Sequence, residues 1–196
     1  MTFTESELQF NFDHSWAVHK YDTHRFYQGL SGAGLSGVDF IGIREGQLYL
    51  FEVKNYQRRK QWQQENPFHT IRDNPAGLSA AFAKKVEDSL LAIDAIGQYY
   101  HRSWLFRLFK QYLLRQPPAR MEPAFWAQAY QLLDFPERIH AVLWLETEQA
   151  QPALRKELQE QIQNLLTADF LLLGAGENRL PGVQVQLVHM KNADGR

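Results

Sequence analysis

GVDFIGIREGQLYLFEVK, residues 37–54, is the stretch that decides how this chain folds. Its apolar residues alternate with one another on both sides of a central Glu45-Gly46, which predicts two strands joined by a tight turn. Strand side chains alternate faces with period two, so Leu48, Leu50, Glu52 and Lys54 share one face, and Asp39, Ile41 and Ile43 share one face of the partner strand. If Glu45-Gly46 is the whole loop, Arg44 pairs with Gln47, Ile43 meets Leu48, Ile41 meets Leu50 and Asp39 meets Glu52. A three-residue loop with a bulge would shift that register. Opposed residues have Cβ atoms roughly 5 Å apart. Two carboxylates at that separation suit one divalent ion, and burying them beside a lysine on an oily face is costly without such a purpose. The other face carries Val38, Phe40, Tyr49, Phe51 and Val53. With both faces apolar, the hairpin is expected inside a sheet covered on both sides.

Asp39, followed on the next strand by Glu52-Val53-Lys54, resembles the PD-(D/E)xK phosphodiesterase superfamily, whose fold is restriction-endonuclease-like. Val38 stands where the family name has Pro, and the AKKVEDSL segment, residues 83–90, is also similar to bacterial members of the group. The resemblance implies that Asp39 and Glu52 are metal ligands for Mg²⁺ or Mn²⁺ and that Lys54 is the catalytic lysine assisting the attacking water. It also implies a further acidic ligand upstream, for which Glu5, Glu7, Asp13 and Asp22 are the candidates and Asp22, in KYDTHRFY, is preferred. Mg²⁺ takes oxygen ligands and needs only one or two protein carboxylates. It lowers the pKa of bound water and neutralises charge on phosphate. Burial would lower the pKa of Lys54 while Glu52 would hold it up, and spacing leaves that contest open. The plain alternative is that Glu52 and Lys54 form an ordinary ion pair at a strand end.

The rest of the chain is read around this hairpin. At 196 residues it is expected to be one domain, 1–196, able to bury about 70% of its unfolded surface. Apolar content of 44% and charged content of 22% are ordinary for a globular protein. With no cysteine, disulfides and thiolate metal sites are excluded, and a reducing, cytoplasmic location is the expectation. MTFTESELQF lacks the basic and apolar segments of a secretory signal, and no apolar run approaches the roughly 20 residues of a membrane span.

The net charge of −1 hides an uneven distribution. Residues 1–53 carry −4, residues 54–120 carry +7 and residues 121–196 carry −4. The basic third begins at Lys54, which points to nucleic acid as partner. Within it, Arg58, Arg59 and Lys60 form the tightest basic cluster, Lys84 and Lys85 are further phosphate contacts, and Tyr56 and Trp62 are stacking candidates. Each has a bland counterpart: a solvated loop, a solvated helix face, aromatics packed on the domain.

Residues 1–30 are aromatic-rich and predict one or two short helices or an edge strand. GAGLSG, residues 32–37, spells GxGxxG but precedes a strand, so it is no dinucleotide fingerprint. Asn74 as cap and Pro75 in the first turn open a helix running to about residue 99, with Phe82, Val86, Leu90, Ile93 and Gly97 facing the sheet. RSWLFRLFKQYLLR, residues 102–115, is a basic amphipathic helix; such helices can lie on membranes or DNA, but an apolar stripe in the core is the preferred reading. Residues 123–135 read as a short helix, and 138–146, RIHAVLWLE, as a buried strand reached by a crossover to a parallel neighbour. Residues 151–166 are an amphipathic helix, and 182–190 a half-buried edge strand. The sum is an α/β protein with a mixed sheet flanked by helices.

No GxxxxGK[ST], HExxH or GxSxG is present, so P-loop, zincin and serine-hydrolase chemistry have no support. His14, His19 and His24 fall five apart, and a histidine metal site is not expected. The functional expectation is an Mg²⁺-dependent nuclease acting on DNA in preference to RNA, and the resemblance allows a homodimer. The alternatives are a catalytically inactive module of the same fold that binds nucleic acid or a protein partner, and a membrane-peripheral or interaction domain using residues 102–115.

Overall fold

The structure is a computed structural model of the chain and describes residues 1–32, 34–57, 68–148 and 151–188. The predicted hairpin is β4 (Phe40–Arg44) and β5 (Gln47–Asn55). Glu45 and Gly46 make the whole loop, both with positive φ, 50° and 70°. That backbone matches the twist of the flanking strands, and glycine adopts it without strain. The register follows: Ile43 opposes Leu48, Ile41 opposes Leu50 and Phe40 opposes Phe51.

A five-stranded sheet has the order β3-β4-β5-β6-β7, adding β3 (Ala17–Lys20), β6 (Ile139–Glu146) and β7 (Asp169–Leu173). β3, β4 and β5 run antiparallel; β5, β6 and β7 run parallel. The crossover to β6 passes through helices α2 (Phe68–Asp73), α3 (Pro75–Arg102), α4 (Trp104–Arg115) and α5 (Glu122–Leu132); that to β7 passes through α6 (Pro152–Leu165). Asn74 caps α3 as expected, its side chain accepting from the Gly77 N–H at 2.8 Å. No helix among the described residues is long and apolar enough to cross a membrane.

Both faces of the hairpin are covered, as its two apolar faces require. On one face Ile41, Ile43, Leu48 and Leu50 pack with Val86 and Ile93 of α3, Phe125 and Trp126 of α5, and Leu158 and Ile162 of α6. On the other, Phe40, Tyr49, Phe51 and Val53 pack with Leu8, Phe10, Phe12 and Val183. Those last residues belong to a second, antiparallel sheet, β1-β2-β8, of β1 (Thr2–Glu5), β2 (Leu8–Phe12) and β8 (Val183–Leu187). The result is three layers: helices, a mixed sheet, a small sheet.

Several expectations are corrected. The N-terminal region forms three strands before its one short helix, α1 (Arg25–Ser31). The period-two pattern Leu8, Phe10, Phe12 is buried as a strand face. Its turn, Ser6-Glu7, takes positive φ without a glycine to announce it. β7 is a strand the sequence reading did not predict, whereas β8 is an edge strand as expected, at the edge of the small sheet. Val38 joins the helix-side cluster instead of the Phe40 face, because the regular ladder stops at Phe40 and Phe51.

Candidate active site

The hairpin's regular pairing gives way where its charged residues begin. The Asp39 N–H still donates to the Phe51 carbonyl at 2.9 Å, and the Asp39 carbonyl accepts from the Tyr21 N–H at 2.8 Å. The Val53 N–H, however, donates to the Asp39 carboxylate at 2.7 Å. One carboxylate thus replaces a rung of the ladder, which fixes its side chain against β5.

Glu52, its neighbour across the hairpin, is 1% exposed. Lys54 approaches its Oε1 at 2.7 Å. Lys85, from α3, donates to both oxygens at 2.8 and 2.9 Å. A buried carboxylate is tolerable only when paired and hydrogen-bonded, and two ammonium groups meet that condition. For Lys54 the contest left open by the sequence is decided: burial works to lower its pKa, but Glu52 outweighs this and the value is raised. Its side chain remains 35% exposed, so a charged lysine faces solvent at the rim of the sheet.

Asp39 has no ammonium within ion-pair distance among the described residues. Burial, and then the charge of Glu52, push its pKa up to about 7 against the opposing Val53 N–H. It belongs instead to a group of acids. Oxygens of Glu5, Asp22 and Asp39 lie within 4.8 Å of one another. Glu5 ends β1, in the small sheet, and Asp22 follows β3. Lys20 is 2.9 Å from Glu5 and 3.9 Å from Asp22. Asp22 Oδ1 is buried with no hydrogen-bond partner. Burial raises the pKa of Asp22, Lys20 opposes the shift, and Glu5 adds to it.

The residues predicted from sequence therefore separate into two sets. Asp22 and Asp39 meet, joined by Glu5. Glu52 stands outside that triplet, held by Lys54 and Lys85. Lys85 is turned inward to Glu52, whereas Lys84 pairs with Asp88 one turn on and is 61% exposed. Asp13, another acid considered, accepts from the N–H and hydroxyl of Ser15. Tyr56 packs against the helix-side core. Arg58, Arg59, Lys60 and Trp62 lie outside the described residues. His19 and His24 do come together, ring centroids 5.5 Å apart, among aromatic rings (Phe125 and Trp126 against His19, Phe26 and Trp126 against His24) and with Glu122 3.7 Å from His24.

Sequence reasoning named Glu5 among four candidate acids but preferred Asp22, whereas both join Asp39; it missed Lys20 altogether. Nothing in local spacing points to Glu5 or Lys20, since both depend on where the small sheet docks. Lys85 was within reach: it follows Phe82 by three and precedes Ser89 by four, both fully buried, which places it beside the inward stripe of α3.

The donor set suits a hard cation. Three carboxylates supply only oxygen, the preference of Mg²⁺ and Mn²⁺, and Asp22 brings an unpartnered oxygen. No protein-family model, no curated protein and no solved structure matches this chain.

Proposed function

We propose that this protein is a metal-dependent nuclease of restriction-endonuclease-like fold, hydrolysing phosphodiester bonds of DNA in preference to RNA. The observation that carries this reading is the meeting of Asp39, Asp22 and Glu5 beside a Glu52–Lys54 pair at one end of the β4–β5 hairpin. The mixed sheet flanked by helices supports the fold, and the +7 charge of residues 54–120 supports a polyanionic substrate.

Glu5, Asp22 and Asp39 would hold the ion. Bound Mg²⁺ would supply a water of lowered pKa and neutralise charge on the scissile phosphate. Asp39 would ligate as its carboxylate, so a bound ion would compete with the proton that burial favours there. Lys54 keeps its charge because Glu52 sits beside it, and from the rim it donates to a phosphate oxygen or orients the attacking water. Lys85 clamps Glu52 from behind, so the carboxylate and Lys54 hold their positions.

Cleavage of plasmid and oligonucleotide by the pure protein with Mg²⁺ or Mn²⁺ is the test. Asp39→Ala and Lys54→Ala should each reduce the rate at least 100-fold, the scale of a lost charge-stabilising donor. An absence of cutting with either metal sinks the catalytic reading. One observation favours a second reading: Glu52 is saturated by Lys54 and Lys85, as a purely structural ion pair would be. A non-catalytic nucleic-acid-binding module would show salt-sensitive binding without cleavage.

A further inference from the structure

The amphipathic helix α4 departs from its expected role. Only Phe106 and Leu113 of its apolar residues are buried, packed against Ala124 and Ala127 of α5. Trp104, Leu105, Leu108, Phe109 and Tyr112 are exposed by 64, 48, 69, 51 and 53%. At 3.6 residues per turn these five fall within one arc of about 140° on the outer side of the helix. An apolar face of this kind on a folded domain marks a docking surface.

The charges around it identify the occupant. Residues 95–121 contain Arg102, Arg107, Lys110, Arg115 and Arg120 and no aspartate or glutamate. Among the described residues none of Arg102, Arg107, Lys110 and Arg115 pairs with a carboxylate. Arg107 lies beside the apolar arc and Arg115 at its C-terminal end, and both are exposed. A second copy of the chain, docked face to face, would bring like charges together. A rim of one sign beside Trp, Tyr, Phe and Leu fits a planar surface that is itself uniformly negative and oily beneath. Trp and Tyr favour the level of lipid headgroups, and arginine reaches back to phosphate while its stem stays apolar.

We propose that α4 docks this protein on an anionic lipid surface, lying in the plane of the headgroups with its exposed apolar arc inserted and its arginines on lipid phosphate. The surface is separate from the carboxylate cluster, and the inference does not depend on nuclease activity.

The test is co-sedimentation of the full chain with vesicles of phosphatidylcholine doped with phosphatidylglycerol, against phosphatidylcholine alone. Binding is expected to the anionic vesicles and to weaken with salt. The double variant Leu108→Ser/Phe109→Ser, both at exposed positions, should lose at least tenfold in partitioning with an unchanged melting temperature. Arg107→Gln/Arg115→Gln should lose roughly fivefold for each cation removed. The proposal is overturned if the wild type ignores anionic vesicles, or if its binding survives the Leu108/Phe109 change. It is equally overturned if duplex DNA is bound while vesicles are not, or if sedimentation velocity without lipid reveals a dimer that the same double variant abolishes.

Discussion

Lys85 of α3 holds both carboxylate oxygens of Glu52, a residue of β5 that is 1% exposed. The contact ties the helix layer to the sheet at the point where the hairpin's charged residues emerge. It also makes Glu52 dependent on a side chain thirty-three residues away in sequence.

Removing Lys85 should therefore destabilise the fold. Lys85→Met leaves a buried carboxylate with Lys54 alone. Breaking a buried pair outright costs about 3–5 kcal/mol; with one ammonium retained, about 2 kcal/mol is expected in urea unfolding. A double-mutant cycle with Glu52→Gln should return at least 1 kcal/mol of coupling. A change below 0.5 kcal/mol would mean that the pair is ornamental.

Asp39 makes stability depend on pH in an unusual direction. Its folded pKa is about 7, against 3.8 ordinarily. Between those values the folded state binds the proton and the unfolded chain does not, so this group's contribution is fully favourable below pH 3.8 and lost as pH rises through 7. Asp39→Asn keeps an oxygen for the Val53 N–H and never ionises. It should be more stable than wild type by about 1–3 kcal/mol at pH 8 and no more stable near pH 4, read from melts across that range. Equal gaps at both pH values would sink the assignment.

The same proton competes with a metal. If Glu5, Asp22 and Asp39 hold Mn²⁺, affinity should fall about tenfold for each pH unit below 7. Titration calorimetry or Mn²⁺ paramagnetic resonance reads this directly. Asp22→Asn should weaken binding by at least tenfold, and an affinity indifferent to both changes would remove the triplet from consideration.

Gly97 is a packing point between α3 and α5. A Cβ there would fall on the Tyr130 ring, 2.1 Å from Cδ2. Gly97→Ala gains helix propensity but should still cost about 1–3 kcal/mol by forcing the helices apart, measured by thermal melting. A stabilising outcome would show that Tyr130 can swing clear.

The hairpin was legible because its determinants are local. Loop length, a Gly at the turn and period-two alternation fix which residues oppose one another, so Ile41 opposite Leu50 follows without any tertiary knowledge. The helices α3 and α6 were legible for the same reason, through their 3.6-residue apolar stripes. The crossover from β5 to a parallel β6 followed from the intervening helices. By contrast, α4 has a strong apolar stripe that the core uses only in part: α5 covers Phe106 and Leu113, and no described element covers Trp104, Leu105, Leu108, Phe109 and Tyr112.

Within the charged cluster, Glu52 and Lys54 could be placed together from the sequence, since they share one face of a strand. The other contacts could not. Glu5 reaches Asp39 because the small sheet packs on the large one through Phe10, Phe12 and Phe40. Lys85 reaches Glu52 because α3 packs on the other face through Val86 and Ile93. Backbone periodicity determines which side chains share a face. Which charges meet between faces was decided by layer packing, where apolar burial across distant segments sets the separation and every ionisable group left at the seam must find a counter-charge, a proton or an ion.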